Sequence, residues 1–181
     1  NKPARPAITA GRTRAAQAAA LLALTLRHPW LLPEVEEVFA ELDLGDPRYD
    51  PCRTAILGWL AEGHVLDSAP LMDHLAGRGF GNLVEALLRD AGLPAAAAPD
   101  AQAKEALDAW WHFFGLLRGE AELATDRDAA QRLLAESADP AVQGQAQQRL
   151  IRLTEALGTL RRGEWGDSPS TEGVVAGGEG A

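Results

Sequence analysis

DAQAKEALDAWWHFFGLLRGEAELATDRDAAQRLLAESADPAVQGQAQQRLIRLTEALGTLRR, residues 100–162, is the stretch whose periodicity decides the fold. From Asp100, apolar residues recur at Ala103, Leu107, Trp110, Phe114, Leu117, Ala121 and Ala124, with spacings of four and three in alternation. That is the seam of a helix packed lengthwise against other helices. Gly119 or Thr125-Asp126 is placed to break or kink it, and Ala130, Leu133 and Leu134 carry the helical pattern on to about Ala138. Asp139-Pro140 then joins a capping side chain to a residue suited to a first helical turn. It opens a last helix over 140–162 with Val142, Ala146, Leu150, Leu153, Leu157 and Leu160 on one stripe. A turn this short predicts an antiparallel hairpin. Gly144 and Gly158 lie inside the last helix and each costs about 1 kcal/mol against Ala, which loosens it.

The same period continues toward the amino terminus. A first helix is expected over about 12–27, stopped by His28-Pro29, and a short second one from Pro33 to about Ala40, with Glu34, Glu36 and Glu37 at its positive end. Asp50-Pro51 predicts a third helix ending near Gly63, with Cys52, Ile56, Trp59 and Leu60 on one face. Asp67 or Ser68 caps a fourth that closes at Gly77 and Gly79, and a fifth spans about 80–91. Pro94 to Pro99, with four alanines between, is the one internal linker-like stretch. No segment alternates with period two and β-branched residues are scarce, so the expected class is all-α. The expected organisation is a linker at 1–11, a helical bundle subdomain at 12–118 and a C-terminal helical hairpin subdomain at 119–162. A disordered tail at 163–181 follows, because that segment has six glycines and no Leu, Ile or Phe with which to offset its ordering entropy.

Charge and composition exclude several function classes. The 181 residues carry 17 Lys and Arg against 26 Asp and Glu, a formal charge of −9, which argues against a groove-lining nucleic-acid binder or a polybasic membrane anchor. The single cysteine, Cys52, forms no internal disulfide or multi-cysteine zinc site, and points to a reducing, cytoplasmic setting. The apolar run Ala15 to Leu26 behind Lys2, Arg5, Arg12 and Arg14 invites a signal-peptide reading, but it is twelve residues long and lacks a small-residue cleavage site. It reads better as a buried central helix. A chain starting at Asn1 is expected to be a piece of a longer protein.

Catalytic signals are missing. His28, His64, His74 and His112 form no paired metal motif and read as surface or cap residues, and no phosphate-binding loop or nucleophile elbow occurs. Glu41, Asp43, Asp46 and Asp50 form the densest acidic stretch, a solvated connection before it is a divalent-ion site. No catalytic, cofactor-binding or metal-binding residue is assigned. Among Trp110, Trp111, Phe113 and Phe114, the expectation is that Trp110 and Phe114 fill the core and the other two rim it. The last helix stands out electrically: Arg149, Arg152, Arg161 and Arg162 against Glu155 give residues 140–162 a net +3 inside an acidic protein.

Several phrases resemble a known family. RTRAAQAAALLALTLRHPWLL at 12–32, FAELDL at 39–44, AIL at 55–57 and LMDHLAGRGFGNLVEALL at 71–88, followed by a Trp-bearing long helix, are similar to the C-terminal helicase-binding domain of the bacterial replicative DNA primase, DnaG. The resemblance covers about five-sixths of the chain, as hydrophobic positions and short phrases. It implies a non-catalytic domain that docks on the amino-terminal domains of the hexameric replicative helicase and couples primer synthesis to unwinding. It also implies a parent chain that is a primase, whose zinc module and polymerase core precede this part. With that reading, the expected partner-binding residues are Leu150, Ile151, Leu153 and Leu157, with Arg149, Arg152 and Arg161 around them. Ile151 lies about 100° round the helix from Leu150, so the two cannot face one neighbour and one side is expected to be open. The competing expectation is a nucleic-acid-contacting helical module that uses these arginines and those of the leader.

Overall fold

The structure, a computed structural model, describes residues 7–90 and 92–162, with side chains from Thr13 onward. The first six residues and the expected tail at 163–181 lie outside the described residues. Those described are helical and turn-connected, with no strand among them.

Helix α1 (Ala7–Arg27) is the axis of the molecule. It starts ahead of the expected Arg12, since nothing between Ala7 and Arg12 opposes a helix except one tolerated glycine. From Ala18 to Leu26 every residue is buried, the mark of a helix enclosed on all sides. Pro29 ends it, because a proline ring disfavours helical geometry in the residue before it. A 3₁₀ turn, Pro29–Leu31, leads into α2 (Leu32–Glu41), which buries Leu32, Val35 and Phe39 and leaves Glu34, Glu36 and Glu37 outward. Three short helices follow: α3 (Tyr49–Ala61), α4 (Ser68–Gly77) and α5 (Gly81–Leu88). Cys52, Ile56 and Trp59, then Leu71 and Leu75, then Val84 and Leu87 face the core. Asp50 falls in the first turn of α3 and not at its cap, and pairs with Arg53 at 2.9 Å.

The stretch expected to be linker-like, Pro94 to Pro99, is packed. Its alanines form a 3₁₀ turn, Ala95–Ala97, with Ala97 only 4% exposed. His28 Nε2 donates to the Ala96 carbonyl at 2.9 Å, and His28 itself is 4% exposed and not at the surface. Small side chains let this turn lie against the end of α1, a role that a run of alanines between prolines does not advertise.

The decisive stretch divides into α6 (Ala103–Arg118), α7 (Glu120–Glu136) and α8 (Pro140–Arg162). The break is at Gly119, with φ +84° and ψ 159°, a backbone conformation open almost only to glycine. The break also resets the helical phase: the seam continues through Leu123, fully buried, while Ala121 is exposed. Asp139 Oδ1 accepts from the Ala141 amide at 2.9 Å, which caps α8 as its sequence predicts. Arg161 Nε donates to Glu120 at 2.9 Å, placing the end of α8 beside the start of α7 and confirming an antiparallel pair.

The hairpin folds back onto the bundle. Gly115 on α6 admits α8 closely: a Cβ there would sit 3.4 Å from the Ala156 methyl and 3.6 Å from Leu123. Leu123, Ala130, Leu153 and Leu157 belong to the same apolar core as α1 and α2, through Trp110 and Phe114. One core therefore runs across the break at Gly119. Covering of α6 by α8 also buries Trp111 to 4% exposure, where the sequence placed it at the rim, and leaves its indole N–H without a hydrogen-bond partner.

Candidate docking surface on the last helix

Along α8 the residues sort into two faces. Ala146, Leu153 and Leu157 are buried, and Leu150 and Leu160 pack at the edge of the core. Ile151, one step round from Leu150, is 51% exposed. The expected partner-binding set is thus divided: Leu153 and Leu157 are committed to the chain's own interior, and Ile151 is the large apolar side chain left on the outside of the helix.

The arginines beside it are engaged. Arg149 pairs with Glu37 of α2 at 2.6 Å. Arg152 reaches Asp108 of α6 at 2.8 Å and Glu34 of α2 at 3.6 Å, with Glu155 at 3.9 Å. Arg161 holds Glu120. The net +3 of α8 is therefore counter-charge for acids on α2, α6 and α7. Each exposed pair contributes little alone, but together they hold the orientation of α8 about its axis. Ile151 consequently stands in a shallow basin of about 470 Å³ with Glu34 of α2 and Lys104 and Asp108 of α6 across from it and Gln148 beside it on α8. Phosphate binding by Arg149 or Arg152 would have to displace these carboxylates first.

The other chemistry-bearing residues find ordinary partners. Asp46 accepts from the Arg48 guanidinium at 2.7 Å, which lowers its carboxyl pKa, and Asp43 accepts from the Gly45 amide at 2.8 Å. No group of three or more His, Cys, Asp or Glu side chains among the described residues is placed to hold a metal ion. Cys52 is fully buried, and loss of hydration pushes its thiol up to about 11, so it stays protonated. His64 pairs with Glu62 at 2.7 Å and stacks on Trp59. No described helix is long and apolar enough to cross a membrane.

Three exposed apolar residues escaped the sequence reading: Trp30 at 39%, Val65 at 73% and Leu133 at 43%. For Leu133 a signal existed. Leu133 and Leu134 are adjacent, like Leu150 and Ile151, so a helix cannot turn both to one neighbour. Comparison of the chain with protein-family models, curated proteins and solved structures finds no match.

Proposed function

We propose that this chain is a non-catalytic protein-interaction domain of the primase type, and that the outer flank of α8 docks on the amino-terminal domains of a hexameric replicative helicase. The observation that carries the reading is the position of Ile151: half exposed, on a helix whose other apolar stripe is locked into the core. The family phrases quoted above name the partner. In this reading the domain belongs to a primase, brings primer synthesis to the unwinding fork, and works in the cytoplasm. Leu153 and Leu157 support the surface from beneath, and Arg149, Arg152 and Arg161 hold its orientation. Burying one Ile at such an interface contributes about 1.5–3 kcal/mol, or one to two decades of affinity.

The test is co-elution of the chain with the cognate helicase on a sizing column, repeated with Ile151→Asp. The variant is expected to keep its melting temperature and lose capture about tenfold or more. Capture by Ile151→Asp equal to the parent, with the fold intact, would remove α8 as the interface. Salt adds a second discrimination. An apolar contact weakens little as salt rises, whereas phosphate contacts give a steep logarithmic decline, the signature of the nucleic-acid reading.

A further inference from the structure

Between α6 and α8 lies a cleft of about 230 Å³ whose apolar lining is Trp111, Ala156 and Leu160. Trp111 is 4% exposed, and Ala156 and Leu160 are half-buried at the edge of the core. Charge selects no occupant here, because Arg152 at the rim is held by Asp108 at 2.8 Å and has Glu155 at 3.9 Å. What the cleft offers is apolar surface and room for one ring system. The volume is below the roughly 300–1,000 Å³ of small-molecule pockets and suits a single aromatic side chain.

The chain itself carries such a side chain close by. Thr159 and Leu160 of the cleft lie three and two positions before Arg162, the last residue of α8. At the helical rise that is about 3–5 Å back along the axis. The sequence continues Gly163-Glu164-Trp165-Gly166, and Trp165 is the one aromatic residue in 163–181. Three residues of extended chain span about 10 Å, so an indole at 165 reaches the cleft with length to spare. Gly163 follows directly on α8, the place where glycine reverses the chain at least cost. A segment without Leu, Ile or Phe builds no core of its own, so its one indole can be buried only against the rest of the chain.

We propose that Trp165 folds back into this cleft and makes residues 163–165 an intramolecular strap across α6 and α8. Only Gly163 and Glu164 must be ordered to bring the ring there, a small cost against the burial of an indole. So short a tether holds the ring at an effective concentration in the millimolar range or above, and a second copy or a partner side chain enters only by displacing it. Asp108, Arg152 and Glu155 also line the basin that holds Ile151, so the strap borders the flank assigned to docking. The inference does not rest on the helicase reading, since it is read on this chain alone.

The test is fluorine NMR of the full chain grown with fluorotryptophan, in the presence of a soluble gadolinium chelate that broadens the resonances it can approach. Trp165→Phe and Trp30→Phe each delete one of five resonances and so assign it. The fold supplies the standards: Trp59 and Trp110 are 1% and 0% exposed, and Trp30 is 39% exposed. Trp165 is expected to broaden less than Trp30, by about twofold or more, and to do so equally after about a tenfold dilution. Thr159→Phe fills the cleft from α8, and Leu160→Ser removes part of its apolar lining. Each is expected to raise the broadening of Trp165 to that of Trp30 or beyond while the buried tryptophans stay protected, and either variant decides the matter if the other misfolds. Ile151→Asp is expected to leave Trp165 protected, so the failure of helicase docking and the failure of the strap are separate results. Broadening of Trp165 in the parent as large as that of Trp30, or protection retained in both cleft variants, would overturn the proposal. Protection that disappears on dilution would overturn it in favour of a second copy's Trp165.

Discussion

The indole N–H of Trp110 donates to the Thr25 hydroxyl at 3.0 Å, and that hydroxyl donates in turn to the Leu21 carbonyl at 2.9 Å. The bond crosses 85 residues and joins α1 to α6 at full burial. Around it Phe39 meets the Trp110 ring edge-on at 6.2 Å and Phe114 stacks on it at 5.7 Å. A single hydroxyl in the apolar run of α1 thus serves the one polar side-chain atom of a fully buried tryptophan. Thr25→Val keeps the shape and removes the acceptor, leaving a buried donor unsatisfied at about 1–3 kcal/mol. Urea unfolding monitored by circular dichroism should show that loss, and a smaller one for Thr25→Ser. Trp110→Phe combined with Thr25→Val should cost less than the sum of the two, since the orphaned donor is then gone.

Two glycines with nothing within 4 Å of a would-be Cβ should respond oppositely to alanine. At Gly119 the obstacle is the backbone, with φ +84°, and Gly119→Ala is expected to destabilise by about 1–3 kcal/mol. At Gly144, inside α8, alanine removes backbone freedom from the unfolded chain and is expected to stabilise by up to about 1 kcal/mol. Thermal unfolding of both variants beside the parent checks the pair. Equal signs would show that the break between α6 and α7 is not held by Gly119.

Leu153 and Ile151 differ by two positions and should differ by an order in stability effect. Leu153→Ala opens a cavity in a site that is fully buried and is expected to cost about 2–5 kcal/mol. Ile151→Ser removes a half-exposed side chain and should stay within about 0.5 kcal/mol. Chemical denaturation of the two variants measures the contrast directly.

His112 gives the molecule an acid-sensitive element. Burial among α6 and α8 residues holds its imidazole pKa below the ordinary value of 6.5, with Asp108, Arg152 and Glu155 lining the same cleft. The native state therefore binds fewer protons there than the unfolded chain, so this contribution to stability is present above about pH 6.5 and declines as pH falls below it. The urea midpoint should drop between about pH 7.5 and about pH 5.5, and His112→Asn should narrow that drop. An unchanged drop in the variant would assign the sensitivity to other groups.

Much of this was legible along the chain. The break at Gly119, the cap at Asp139, the buried stripe Ala146, Leu153 and Leu157, and the enclosure of Ala18 to Leu26 all depend on local periodicity and on residues with special backbone or capping chemistry. The exposed Ile151 followed from helical geometry alone, because adjacent residues on a helix diverge by about 100°. The phase of α7 was misjudged at Ala121, since a glycine break erases the register that a continuous seam would carry across it.

What periodicity determined, then, was that the chain is helical and which stripe of α8 faces inward, while the start of α1 at Ala7, the end of α5 at Leu88 and the choice of Gly119 over Thr125-Asp126 for the break were not fixed by it. Only the tertiary structure decided what lies opposite each stripe. The fold-back of α8 over α6, the burial of Trp111, the packing of Ala96 against His28 and the cleft beside Leu160 depend on contacts between residues far apart in sequence. A helical stripe states that a neighbour exists but not which helix supplies it. That choice is settled by the summed packing of whole helices, here the approach allowed by Gly115 and the pairing of Arg149 and Arg152 with carboxylates of α2 and α6.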